Sequence, residues 1–233
     1  MSPRRLFALV TIAFTSLSTG LGASAQSAPR LYDTQPPTDS AYVRVILANR
    51  EGPVDVTIDG RIRIRKLNPG EASDYMVIPN GPHTIGLHLA GKSAAQTTAT
   101  FEAVRGRAIS LAFTALKPGS PPFTFEDKAN SNKLKAGLTV YHLDPDSGDF
   151  DVLTGDKNTK VFSNLVFGTS SFKQVNPISI DLVAAPVDAK SADVRAALAM
   201  SPGGTYSLLL LPAQTGKSRG RVIQNQIERY TGP

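Results

Sequence analysis

The chain has 233 residues, 41% of them apolar and 19% charged, with a formal charge of +6, no cysteine and no tryptophan. Without cysteine it has neither disulfides nor thiolate metal centres, so packed cores alone must hold the fold. The mild positive charge makes no electrostatic case for a nucleic-acid-binding protein.

Residues 1–25 read as an export signal. Arg4 and Arg5 precede an apolar stretch from Leu6 to Leu21, and Ala23-Ser24-Ala25 is an A-x-A cleavage site. The stretch is too short and too polar for a stable span, and no lipid-accepting cysteine follows. A mature chain starting at Gln26 keeps 23 basic and 19 acidic residues, a formal +4. The chain is expected to be exported. Residues 26–40, rich in Pro, Ser and Thr, read as an extended leader.

From Ala41 the pattern turns to short strands. Val43, Val45 and Leu47 alternate, then Val54, Val56 and Ile58 do so again. Asp59-Gly60 signals a tight hairpin into Arg61–Arg65. Further strands are predicted at 74–78, 83–89, 97–104 and 108–116, parted by Gly- and Pro-containing turns. Lys117 to Pro122 is the clearest break, because Pro and Gly cannot continue a ladder, and a linker is predicted over 118–132. Strands resume at 138–143, 152–153, 161–165, 171–175 and 178–183. Residues 190–200 have Val194, Ala197 and Leu198 at helical spacing, but alignment with 97–104 favours a strand. Tyr206 to Leu211 is a continuous apolar run, the mark of a central strand buried on both sides.

One pattern occurs twice, about 97 residues apart. Leu67–Gly70 runs into Tyr75 as Leu165–Gly168 runs into Phe172, and Gly106–Phe113 matches Gly203–Leu210. The spacing between the two elements is 39 residues in one half and 38 in the other. Order and spacing held together imply duplication. The expected fold is all-β: two tandem antiparallel β-sandwich domains of similar topology, 41–117 and 133–233.

Catalytic parts are missing. There is no Gly-Asp-Ser block, and the one G-x-S-x-G spacing, Gly216 to Gly220, lies in the basic, polar tail rather than on a strand-to-helix turn. His83, His88 and His142 all fall on predicted strands and read as structural. Asp144 to Asp151 spaces carboxylates like an opened calcium loop, yet Gly155 stands where such a loop needs its bidentate Glu, so a turn is the better reading. No metal or cofactor is expected, and no enzyme activity. Alternation would place Arg61, Arg63 and Arg65 on one face, with Ile62 and Ile64 in the core. Such a row would either grip the carboxylates of a polyanionic polysaccharide or guard an edge strand against aggregation. Tyr75, Phe101, Phe113, Phe172 and Tyr206 are expected to fill cores.

Leu31-Tyr32, Pro37 and Ser40-Ala41-Tyr42-Val43-Arg44, with the later Val175-Asn176-Pro177-Ile178, resemble the AlgF family of alginate biosynthesis proteins. That resemblance implies a periplasmic, non-catalytic accessory protein for O-acetylation of an exopolysaccharide. It would connect membrane acetyl-transfer proteins with periplasmic polysaccharide O-acetyltransferases. The Arg61–Lys66 run and the 144–160 region have no match in the family pattern, which leaves the polymer open. The expected contacts to partner or polymer are Tyr32, Tyr42, Arg44, Arg61, Arg63, Arg65, Phe123 and Phe125.

Overall fold

The computed structural model describes residues 35–187, 193–213 and 217–230, all within one compact unit, Asp33–Pro233. The expected signal segment and Tyr32 lie outside the described residues. Every regular element described is a strand. The first half holds β1 (Ser40–Leu47), β2 (Val54–Ile58), β3 (Arg61–Leu67), β4 (Met76–Pro79), β5 (Gly81–Leu89), β6 (Ala95–Ala103), β7 (Ala108–Phe113) and β8 (Phe123–Asp127). The second holds β9 (Ala136–His142), β10 (Phe150–Thr154), β11 (Lys160–Leu165), β12 (Ser170–Val175), β13 (Ser179–Pro186), β14 (Val194–Ala199), β15 (Thr205–Pro212) and β16 (Ser218–Gln224). Residues 194–199 are the strand that the repeat alignment favoured.

Four sheets result, in the orders β3-β2-β5-β6, β4-β1-β7-β8, β12-β9-β15-β16 and β11-β10-β13-β14. The first two enclose one core, around Val43, Val56, Leu87 and Leu111, and the last two enclose another, around Val140, Val152, Leu182 and Leu208. These are the two β-sandwiches. Most pairs are antiparallel, but β1 with β7 and β9 with β15 are parallel, at the same place in each half. The expected linker also proves shorter than its composition suggests. Phe123–Asp127 is a strand that pairs with β7, and Ser218–Gln224 does the same beside β15. Phe123–Asp127 alternates, with Phe125 buried between the exposed Thr124 and Glu126, but the Pro- and Gly-rich stretch just before it masks the strand.

A third core joins the two halves. Ile46, Ala112, Phe125, Tyr141, Leu209 and Leu211 pack together from the β4-β1-β7-β8 and β12-β9-β15-β16 sheets. These inner sheets are therefore covered on both faces. That explains why the run Tyr206 to Leu211 is apolar throughout: Tyr206, Leu208 and Leu210 face one core, Leu209 and Leu211 the other.

The duplication is also written in the backbone. Positive φ recurs at Asp59 and Lys157, at Lys66 and Asn164, at Gly70 and Gly168, and at Gly106 and Gly203. Gly168 combines φ +77° with confinement, since a Cβ there would lie 2.5 Å from the Phe123 ring. Gly60 has φ +76° with open space around it. Gly60→Ala should therefore cost about 1–2 kcal/mol for the left-handed backbone alone. Gly168→Ala should cost more, because it also pushes Phe123 out of the inter-sandwich core. Urea unfolding of both variants tests this ranking, and equal midpoints would refute it.

Candidate functional site

Strand alternation turns Arg44 away from Val43 and Val45, and on that side of β1 lies the second sandwich. Arg44 is 0% exposed. A guanidinium in that position is costly unless its donors are met. Its Nε donates to Ser110 Oγ at 2.7 Å, and one terminal nitrogen donates to Asn225 Oδ1 at 2.7 Å. The other donates to Tyr141 Oη and Ser207 Oγ, both at 2.9 Å. The Tyr75 and Tyr141 rings flank it, with centroids 4.7 and 5.4 Å from Cζ.

The balancing charge is Asp127, one shell away. Tyr75 Oη donates to its Oδ2 at 2.8 Å, Ser110 Oγ donates to the same oxygen at 2.6 Å, and Tyr141 Oη donates to Oδ1. Burial pulls Arg44 down in pKa, but Tyr141, Tyr75 and Asp127 outweigh it and hold the group above its ordinary value. Burial pushes the Tyr141 phenol up to about 12, with Arg44 opposing and Asp127 adding. Tyr75 is raised further for the same reasons. Both phenols therefore keep the protons they donate. The cluster is a closed circuit of donors and acceptors drawn from both sandwiches, and it binds them together.

Beside it opens a cleft of about 750 Å³ between the inner sheets, lined among others by Tyr42, Arg107, Lys128, Asn130 and Phe172, with Asp127 also in its wall. Arg107 and Glu126, on one wall of it, form an ion pair.

The expected contact residues separate. Tyr42 is half-buried and lines the cleft. Arg44 is no contact residue, because the second sandwich buries it. Phe125 is buried against Tyr141 with ring centroids 5.2 Å apart, and Phe123 meets Phe167 edge-on at 5.2 Å, so both are spent inside the junction. Arg61, Arg63 and Arg65 are exposed, but they do not form a row. β3 shifts register against β2 at two places, between the pairs Thr57–Ile62 and Val56–Ile64 and again before Val54–Leu67. Each bulge adds a residue and breaks the alternation. Ile62 is consequently 47% exposed rather than in the core, and Arg63 is drawn to Glu228 at 2.6 Å. Of the aromatics expected in cores, Tyr75 instead stacks on Arg44 and Phe172 lines the cleft.

The three histidines are engaged by neighbours. His83 reaches Asp59 at 2.7 Å and the Pro79 carbonyl at 2.9 Å. His88 reaches the Ser93 carbonyl at 2.9 Å and Thr57 Oγ1 at 3.2 Å, on a partly exposed sheet face. His142 is buried, its Nε2 on Gly148 O and its Nδ1 accepting from the Asp144 amide. In the aspartate-rich turn, Asp144 accepts from the Asp146 amide and from Ser218, while Asp146 pairs with Arg50.

Sequence reasoning missed Asp127, Asn225, Ser110 and Ser207 as partners of Arg44. Ser110 and Ser207 stand at matching positions of the repeat, a signal visible in the sequence. Nothing local marks Asp127 or Asn225.

A family model described as Alginate O-acetyl transferase AlgF matches residues 14–206. The chain belongs to the AlgF family. No curated protein matches it. Among solved structures it is similar to the C-terminal domain of AlgF from P. aeruginosa, at 19% identity over 40% of this chain and 100% of that one, with a TM-score of 0.34. It is also similar to the Bacillus anthracis TIE protein, at 9% identity over 78% of this chain and 34% of that one, with a TM-score of 0.26. A third is the family CBM26 module CBMbc of Eubacterium rectale Amy13K, solved with maltoheptaose. It shows 12% identity over 81% of this chain and 97% of that one, with a TM-score of 0.26.

Removing one member of the buried cluster strands the rest. Arg44→Met should cost about 3–5 kcal/mol in denaturant unfolding. Adding Asp127→Asn should recover part of that loss, because the orphaned carboxylate goes too. A double variant as unstable as the sum of the singles would show that the two charges are uncoupled.

His142 has its pKa lowered, first by burial, so protonation favours the unfolded chain. Its contribution to stability is complete above the unfolded value of about 6.5 and is lost as pH falls below it, at up to about 1.4 kcal/mol per pH unit. Asp55, Asp59 and Asp151, also lowered, act only below the ordinary carboxylate range. Unfolding midpoints should therefore fall between about pH 6.5 and 4.5, and His142→Gln should flatten that part of the curve.

Proposed function

We propose that the protein is a non-catalytic periplasmic adaptor for O-acetylation of an alginate-like exopolysaccharide. It links membrane acetyl-transfer proteins to the periplasmic O-acetyltransferases that modify the polymer. Membership of the AlgF family over residues 14–206 carries this reading. The chemistry of the most polar site supports it. A hydroxyl nucleophile needs a base that can take its proton. Ser110 and Ser207 are fully buried and each spends a lone pair on the Arg44 guanidinium, so neither is open to a substrate. They brace a junction. The export pattern at residues 1–25 fits a periplasmic site of action, and no helix among the described residues is long and apolar enough to cross a membrane.

The rival, a polysaccharide grip by Arg61, Arg63 and Arg65, loses its geometric basis at the β3 bulges. An adaptor of this kind works through protein surface, and a rigid two-sandwich body fixes the spacing between the surfaces it offers.

A deletion strain should secrete exopolysaccharide with acetyl ester reduced severalfold, and the full chain expressed in trans should restore it. Purified protein should release no chromophore from 4-nitrophenyl acetate above the rate of a Thr57→Ala, His88→Ala control, which removes the hydroxyl–imidazole contact of Thr57 with His88. Normal acetylation in the deletion strain would remove the proposal, and turnover abolished in that control would make the protein an enzyme.

A further inference from the structure

Duplication allows each sheet edge to be compared with its counterpart. The β1 register turns the N–H and C=O of Tyr75 and the N–H of Val77 outward at the β4 edge. Residues 226–228 cover them. Tyr75 N–H donates to Gln226 O at 2.8 Å, Glu228 N–H donates to Tyr75 O at 2.9 Å, and Val77 N–H donates to Glu228 Oε1 at 2.8 Å. The Tyr75–Ile227 bridge is parallel. The end of the second sandwich thus adds a short strand to the first, with a carboxylate as its last acceptor.

The repeat offset converts Tyr75 and Val77 into Phe172 and Gln174 on β12. His142 N–H donates to Thr169 O, which fixes the ladder alternation, so Ser171, Lys173 and Val175 bond to β9 while Phe172 and Gln174 point outward. Their outward N–H groups meet no acceptor among the described residues. The segment corresponding to 226–228 is 128–130. It meets β12 through side chains, with Gln174 Nε2 donating to Asn130 Oδ1 and Ser131 Oγ, each at 3.1 Å. The cleft opens here, with Phe172, Lys128 and Asn130 in its lining. Gln174 is exposed, and Lys128 has no ion-pair partner among the described residues.

We infer that the β12 edge at this cleft receives an extended segment of a partner protein, an aliphatic residue followed by a glutamate, added parallel to β12. The internal tail shows what the edge accepts. Main-chain bonds to Phe172 replace those to Tyr75, the aliphatic side chain lies by the Phe172 ring, and the carboxylate takes the Gln174 N–H. Lys128 favours the acidic partner. Strand addition to an open sheet edge is a general mode of peptide recognition. The inference gives the adaptor reading a docking surface, but its test does not involve acetylation, so the two can fail separately.

The probe is a synthetic peptide Asn-Gln-Ile-Glu-Arg-Tyr, the sequence of residues 225–230, titrated into the isotope-labelled full chain. Amide shifts should appear at Phe172 and Gln174. Gln174→Pro removes the edge N–H and should weaken binding at least tenfold, whereas Gln174→Ala keeps the N–H and should bind within about threefold of the parent. A peptide with Gln in place of Glu should also bind at least tenfold more weakly to the unaltered chain, a readout independent of whether the Pro variant folds. No binding, equal binding by the Pro and Ala variants, or shifts confined to Tyr75 and Val77 through displacement of the tail would each overturn the assignment.

Discussion

The structure depends on one buried cation. Arg44 sits where two sandwiches meet, and its charge is tolerable only because both halves supply acceptors: Ser110 from the first, Tyr141, Ser207 and Asn225 from the second. Neither sandwich alone satisfies it. Relative sliding of the inner sheets would open several hydrogen bonds to the fully buried guanidinium at once. The apolar contacts of Ile46, Leu209 and Leu211 supply attraction, while the Arg44–Asp127 circuit fixes register, since apolar surfaces tolerate many alignments and a guanidinium fork few.

The duplicated halves are equal in backbone and unequal in chemistry. The parallel β1–β7 and β9–β15 pairs and the four recurring positive-φ positions show one topology used twice. Yet Arg44 faces Ser110 where Thr139 faces Ser207, so only the first half contributes the cation while both contribute hydroxyls. The edges diverge in the same way. The tail closes β4 through main-chain bonds, whereas β12 borders an open cleft. Function in a duplicated protein tends to lie where the copies differ, because the shared features are needed for folding.

The proposed adaptor role asks this body for surface rather than for a reactive centre. Its polar residues at the junction are committed to holding the sandwiches in one arrangement, and the histidines rest on carbonyls, an aspartate and a threonine. What remains available is surface: the cleft beside Tyr42 and Phe172 and the exposed edges.

Strand period, turn residues and the repeat were legible in the chain itself. Val43, Val45 and Leu47 share a core because side chains alternate along a strand. Tyr206 to Leu211 announces burial on both sides because no polar residue beyond Ser207 interrupts it. The same alternation dictates that Arg44 points away from that core. What lay on the other side was a matter for tertiary packing, and there local reasoning expected solvent where the second sandwich stands. The arginine row failed for a related reason: bulges at β3 arise from pairing with β2, which no spacing within 61–65 encodes. The sequence by itself determined which residues form strands and how each strand is sided, since both follow from local sterics and polarity. Only the folded chain decided that Arg44 would meet Asp127 through shared hydroxyls 83 positions away, because that meeting depends on how two finished sheets stack.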